Sequence, residues 1–337
     1  MYDVITVGSA TVDVFARTKF SELIKIIDPK GETDLLAFPS GAKILIDELE
    51  FSTGGGGTNT AVAFSRLGHK VAFVGKLGEG TNSEFIHKSL RREKIDLLCS
   101  HGRGKAGYSL ILDTLEHDRT ILTYKGINDE MNYNEIPLKK LKTKWFYFCA
   151  MMNESFKTLE RLSDFAVKNN IKIAFNPSTY LAEKGSAYLR RIIKRSHLLI
   201  LNKDEARLLV GDEHAEKLLF KLYDLGPKIV VITDSKKEIL ATDGNYVFSA
   251  HPTKTKAVDS TGAGDAFSSS FVSGLIRNRG IEFSIKLGIA NATSVISHYG
   301  AKNILLTRDQ ALRSIKVLKT RVKKKAVKSH QSFSNTP

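Results

Sequence analysis

The chain has 337 residues, 42% hydrophobic and 26% charged, proportions that suit a folded globular body. They exclude a disordered chain, a collagen-like repeat and a disulfide-dense miniature scaffold, and the two cysteines, Cys99 and Cys149, fit a reducing compartment. The net charge of +15 raises nucleic acid as a partner, but eight of the basic residues lie between Arg313 and Lys328, with no acid after Asp309.

The opening residues 3–8 (DVITVG) form a short apolar run ending in glycine, which predicts a buried strand rather than a signal peptide. Residues 54–68 join a glycine cluster to a helical pattern, and residues 71–75 predict a second buried strand. Further apolar runs of this kind fall at 145–149, 171–175, 198–201 and 229–233, with helical stretches at 156–168, 188–195 and 213–225 between them. Strands alternating with helices predict an α/β fold, with a mostly parallel central sheet and helices on both faces. Two regions break the rhythm: residues 14–53 hold no long helix, and residues 108–123 read as two strands joined around Glu116, His117 and Asp118. These pieces predict a small β-rich lid, of the kind that excludes water from a reacting centre. A last helix is expected at about 308–322, giving a single domain over 1–322 and a solvated basic tail over 323–337. The alternative for that tail is a weak electrostatic handle for RNA, DNA or another polyanion. No run of about 18 apolar residues occurs, so no membrane partner is expected and the location is expected to be cytoplasmic.

Residues 258–267, VDSTGAGDAF, run straight into an apolar-periodic helix over 266–276. The backbone N–H groups of Gly262, Ala263 and Gly264 then fall at a helix N-terminus, where an anion is favoured. Asp265 is out of place in an anion hole unless it takes a proton from an incoming hydroxyl, as phosphoryl transfer to an alcohol requires. The plainer reading is a capped helix with an acid in its first turn. Residues 52–61, STGGGGTNTA, place four glycines before a helix, either as a bare surface for a ligand or as a loose loop. The GxGxxG at 102–107 precedes a strand pattern instead of a helix and is read as a loop. Asn202 and Glu205, after the strand at 198–201, stand where α/β sheets bind ligands, and a capping box explains them equally well. HExxH, CxxC, GxSxG and Walker A patterns do not occur.

In this order the segments resemble the ribokinase (PfkB) family of carbohydrate and nucleoside kinases over almost the whole chain. DSTGAGDAF resembles the family's C-terminal signature, GGGGTN its glycine signature and NKDE its NxxE motif; residues 8–13 (GSATVD) resemble its opening turn. The resemblance implies a ribokinase-like fold with Asp265 as catalytic base and Gly262, Ala263 and Gly264 as the anion hole. It implies Asp13, Gly55, Gly56 and Asn59 as acceptor-binding residues. Asn202, Thr233, Ser235 and Asn291 are implied as nucleotide contacts, with Gly300 in the adjacent turn. Mg²⁺ would be organised by Asn202 and Glu205 through water, and a monovalent cation such as K⁺ would sit beside Asp259. The expected activity is ATP-dependent transfer of the γ-phosphoryl group to a hydroxymethyl group of a sugar. The alternatives are a nucleoside kinase and a non-catalytic sugar-binding or regulatory protein with a nucleic-acid-binding tail. A homodimer through the lid is a further expectation. Gly56 stands where ribokinases carry lysine in GGKGAN, so free ribose is expected to be a poor acceptor; Ser235 and Glu238 replace both glycines of the family's TxGxxG loop. Phe38 and Phe51 are the aromatic residues weighed as partners for a base, and their scarcity favours a sugar.

Overall fold

The first apolar run becomes β1 (Tyr2–Val7), and its alternating side chains already divide the molecule: Val4 packs into one core, Ile5 and Val7 into another. This computed structural model describes the chain apart from residues 20–21, 29–30, 114–118, 236, 253–254, 256–259, 299 and 328–337. From β1 the chain enters β2 (Thr11–Arg17), a hairpin of β3 (Glu22–Asp28) and β4 (Gly31–Ala37), and β5 (Glu48–Gly54), which leads directly into α1 (Gly56–Arg66). Then come β6 (Val71–Val74), β7 (Lys76–Glu79), α2 (Thr81–Arg92), β8 (Asp96–Leu97), β9 (Ser100–Lys105), β10 (Gly107–Asp113) and β11 (Arg119–Tyr124). The second half alternates more regularly. It runs β12 (Thr143–Phe148), α3 (Asn153–Lys168), β13 (Lys172–Phe175), α4 (Ser178–Ala182), α5 (Gly185–Ile193), β14 (Leu198–Asn202), α6 (Lys203–Val210), α7 (Ala215–Asp224) and β15 (Ile229–Asp234). The chain closes with β16 (Glu238–Thr242), β17 (Tyr246–Ala250), α8 (Ala263–Ile276), α9 (Gly280–Val295), α10 (Arg308–Val317) and β18 (Lys323–Ala326).

The main sheet has ten strands in the order β18-β17-β16-β15-β14-β13-β12-β1-β6-β8. Pairing is parallel from β8 through β15 and antiparallel from β15 to β18. Both faces are apolar because neighbouring residues of one strand point to opposite sides. Tyr147, Ile200 and Val231 face a core completed by Phe64 of α1 and Phe271 of α8. Phe146, Leu199 and Val230 face a second core completed by Leu159 of α3, Leu189 of α5 and Leu219 of α7. The strand order reverses at β1, which has β6 on one side and β12 on the other. Such a switch point opens a crevice at the carboxyl ends of the strands.

A second sheet, β11-β10-β2-β5, is formed by the pieces set apart in the sequence. It places Asp13 of β2 opposite Ser109 of β10 on one side and Ser52 of β5 on the other. Three expectations change. The segment over 102–107 is not a loop: Ser100–Lys105 is β9, and Gly107 opens β10. The last helix ends at Val317, and the region expected as tail from 323 begins with an edge strand, Lys323–Ala326 on β17. Three lysines in four residues hide that strand from any hydrophobic pattern; Lys324 makes it viable by resting its ammonium over the Tyr246 ring, 3.7 Å from the centroid. The turn around Glu116, His117 and Asp118 lies outside the described residues.

Candidate active site

The glycine cluster turns the chain from β5 into α1 against the end of β1. Gly54 is pressed so closely to Asp13 that an added Cβ would lie 1.8 Å from Asp13 Oδ2. Asp13 is buried, and Thr11 Oγ1 donates to its Oδ1 at 2.8 Å. Burial raises the Asp13 carboxyl above the usual carboxylate range, against the pull of Thr11, Ser109 and Lys302. Gly55 carries the turn into α1, and its carbonyl accepts from Asn59 N at 2.9 Å. Gly56 leaves room beside the catalytic candidate: a Cβ there would stand 3.8 Å from Asp265 Oδ1 and 3.3 Å from Cys149 Cβ.

The second signature forms the start of α8. Gly262 takes a left-handed conformation (φ +75°) with Ala301 so close that a Cβ would meet the Ala301 Cβ at 2.5 Å, so glycine is required twice over. An added Cβ at Gly264, by contrast, meets no protein atom within 4 Å. Gly262, which caps α8, and Ala263 and Gly264 of its first turn border a cleft of about 620 Å³ that Asp265 also lines; the Ala263 N–H donates to Ser260 O at 3.3 Å. Asn59 Nδ2 donates to Asp265 Oδ2 at 2.9 Å, while Asn59 Oδ1 is buried with no partner. Burial raises the Asp265 carboxyl to about 6, opposed by the Asn59 hydrogen bond and Lys302 and reinforced by Asp13. A carboxylate with a pKa near neutrality, beside an orphaned acceptor, suits a base that holds and deprotonates a hydroxyl.

Asn202, Glu205, Thr233 and Ser235 line the other wall of the same cleft. The capping box is real: Asn202 Oδ1 accepts from Glu205 N at 2.8 Å and Glu205 Oε2 accepts from Asn202 N at 3.0 Å. It coexists with the cleft position, and burial raises the Glu205 carboxyl, with Asp204 and Asp265 adding to the rise. Ser235 has φ +43°, the left-handed region in which the family's glycine would be expected, so serine occupies a glycine conformation. Glu238 starts β16 and pairs with Asp234, so β15 and β16 run antiparallel as neighbours. Asn291 is a correction: it is fully buried, donates to Ser270 Oγ at 2.8 Å and accepts from Leu306 N at 2.9 Å. It ties α9 to α8 and to the chain before α10, and Ala292 and Thr293 line the cleft instead. Gly300 precedes Ala301, which packs on Gly262; Asp259 lies outside the described residues.

One residue escaped the sequence reading. Lys302 is buried, and its Nζ donates to Thr58 Oγ1 at 3.1 Å beneath the glycine turn. Burial lowers its ammonium to about 7, while Asp13, Asp265 and Glu93 pull it up and Arg66 pulls it down. A lysine in a polar C-terminal stretch carries no local signal for such a place.

The fold, the glycine turn and the α8 N-terminus together define a phosphotransferase of the ribokinase type. The model of the pfkB family of carbohydrate kinases matches residues 19–308, and the chain belongs to that family. A cytidine kinase from Thermococcus kodakarensis is 30% identical over 275 residues, covering 79% of this chain and 94% of that protein. An uncharacterized sugar kinase from Archaeoglobus fulgidus is 26% identical over 250 residues, 72% of this chain and 97% of that one. The crystal structure of a ribokinase from Thermotoga maritima superposes with a TM-score of 0.80 at 21% identity, covering 94% of this chain and all of its own. The family acts on sugars or nucleosides with an alcohol acceptor. Among the described residues no helix is long and apolar enough to cross a membrane.

Proposed function

We propose that this chain transfers the γ-phosphoryl group of ATP to a hydroxymethyl group of a sugar, with Asp265 as the base. The Asn59–Asp265 hydrogen bond carries the reading, because it joins the glycine turn to the cleft at the point where an acceptor hydroxyl must meet a donor phosphate. The acceptor hydroxyl donates its proton to the Asp265 carboxylate while its oxygen forms the new bond to phosphorus. The bond from phosphorus to the bridging β,γ oxygen breaks, ADP leaves, and the proton remains on Asp265. The first-turn N–H groups of α8 meet the charge that gathers on the transferring group. Asn59 Oδ1 supplies a further acceptor for the incoming sugar, and Asp13 another.

Magnesium fits the donors present. Glu205 offers a hard carboxylate in the cleft wall whose two oxygens each keep a free lone pair. Asn202 and Glu205 would hold the ion through water, as suits a cation that dehydrates reluctantly. When bound with the nucleotide, it supplies neutralisation of the phosphate charge.

A nucleoside acceptor is the second reading. Phe51 pairs with Val14 and Ser52 with Asp13, so Phe51 lies on the opposite face of the sheet from Asp13 and cannot stack on a ligand held there. Phe15 shares the Asp13 face, two residues on, and with the cytidine kinase relative it keeps a base in play. Coupled measurement of ADP release against ribose, hexoses, adenosine and cytidine decides between them; a nucleoside with kcat/KM above every sugar overturns the first reading.

A further inference from the structure

The glycines from 54 to 57 bring no side chain to the acceptor end of the cleft, yet two carboxylates converge there, Asp13 from β2 and Asp265 from α8. Two buried acids facing one another resist joint ionisation, since each raises the cost of charging the other. A base that must be ionised, beside a second acid that must accept from sugar hydroxyls, needs a cation within reach. Among the described residues, Lys302 is the cation whose field acts on both Asp13 and Asp265. It is buried, it enters from the segment between α9 and α10, and its hydrogen-bond partner is the Thr58 hydroxyl. Thr58 in turn donates to Gly54 O at 2.6 Å, so the ammonium is fixed to the turn that presses on Asp13.

We propose that Lys302 is a positioning residue of the acceptor site, anchored by Thr58 beneath the glycine turn as the counter-charge that keeps Asp13 and Asp265 ionised together. This rests on the reading of Asp265 as the base. The other groups facing Asp265 do not supply positive charge. Asn59 of α1 is neutral; Tyr147 of β12 and Cys149 just after it are held in their neutral forms by burial; Glu205 of α6 adds negative charge. Around Lys302 itself stand Glu93 and Arg66, which are joined to each other by a 2.6 Å ion pair. Burial sets both shifts, raising Asp265 and lowering Lys302, and each group's charge opposes the other's shift.

The test compares wild type with Lys302→Met, which keeps the length without the charge, and Lys302→Arg, which keeps the charge. Carboxyl ¹³C titration of Asp265, which needs no substrate, should rise by about one pH unit or more in Lys302→Met and stay near wild type in Lys302→Arg. The acid limb of kcat/KM should move by the same amount, with KM for the acceptor rising as Asp13 takes up its proton. A titration unchanged in Lys302→Met, or shifted equally in Lys302→Arg, overturns the proposal. A wild type that phosphorylates no sugar or nucleoside overturns the base reading instead, while the titration still decides the charge claim. Should Lys302→Met fail to fold, Thr58→Val, which frees the ammonium from its anchor, should raise the Asp265 titration in the same direction; no movement in that variant counts against the proposal.

Discussion

Asn59 in the first helix and Asp265 in the eighth lie 206 residues apart in sequence and meet at 2.9 Å, amide to carboxylate. That contact fixes the orientation of Asp265: one oxygen is held by Asn59, and the other is left for an acceptor. It also fixes the Asn59 amide, since only its nitrogen can donate to a carboxylate, which leaves Oδ1 as the buried atom awaiting a donor.

Asp265→Asn should lower kcat by about 10²–10⁴-fold with little change in nucleotide affinity, because the amide cannot take the proton. Its effect on stability should have the opposite sign. Burial raises the folded-state carboxyl to about 6 from its ordinary 3.8. The neutral form therefore favours the fold below the ordinary value, and that gain is lost as pH rises through about 6. At pH 8 the ionised aspartate is a burden that asparagine lacks, so the variant should melt above wild type. Thermal melts at pH 8 and single-turnover assays check both halves; retention of more than a tenth of kcat would remove Asp265 from the base role.

Free ribose should be a poor acceptor, with kcat/KM below the best substrate by about 10-fold or more. Gly56→Lys should narrow that gap by returning a charge-assisted hydrogen bond of about 1.5–3 kcal/mol. The new Cβ needs Cys149 to give way slightly, since it would lie 3.3 Å from the Cys149 Cβ. Parallel kinetics on ribose and the preferred acceptor test this, and an unchanged ratio in a folded variant speaks against it.

Truncation after Val322 should leave kcat intact but lower the melting temperature by about 2–4 °C. The cut removes β18, uncovers the β17 edge and takes away the Lys324 ammonium from above Tyr246. The cleft residues are untouched. A chain ending after Val327 is the control and should melt with the full-length protein; equal melting of all three would make β18 dispensable.

The second sheet should join two copies of the chain. Leu122 and Phe51, 55% and 56% exposed, stand at the two ends of one cross-strand row whose middle residues, Leu110 and Val14, pack into the chain's own core. Light scattering coupled to gel filtration should give twice the chain mass, and Leu122→Asp with Phe51→Asp should give the monomer. A wild-type monomer at micromolar concentration contradicts this.

What could be read in advance followed from local periodicity. The runs at 145–149, 198–201 and 229–233 became β12, β14 and β15 because buried parallel strands are apolar on both faces. The hairpin strands β16 and β17 went unread, since each mixes buried with half-exposed positions beside a charged turn. Residues whose types announce chemistry, such as Asp265 after two glycines, were legible at the site. Lys302 was not, because its role comes from a fold that buries it against Thr58, 244 residues away. Asn291 differs in the other direction: the family resemblance implied a nucleotide contact, and the residue is an internal brace between α9, α8 and the chain before α10.

The most direct measurement is ³¹P NMR of the purified protein with ATP, Mg²⁺ and a panel of sugars and nucleosides. One acceptor should give a phosphomonoester at a hydroxymethyl carbon with an equal amount of ADP, and Asp265→Asn should form both at least about 100-fold more slowly. Absence of an acceptor-dependent phosphomonoester across the whole panel, or its formation at near wild-type rate by Asp265→Asn, would contradict the assignment of this cleft as a phosphoryl-transfer site with Asp265 as its base.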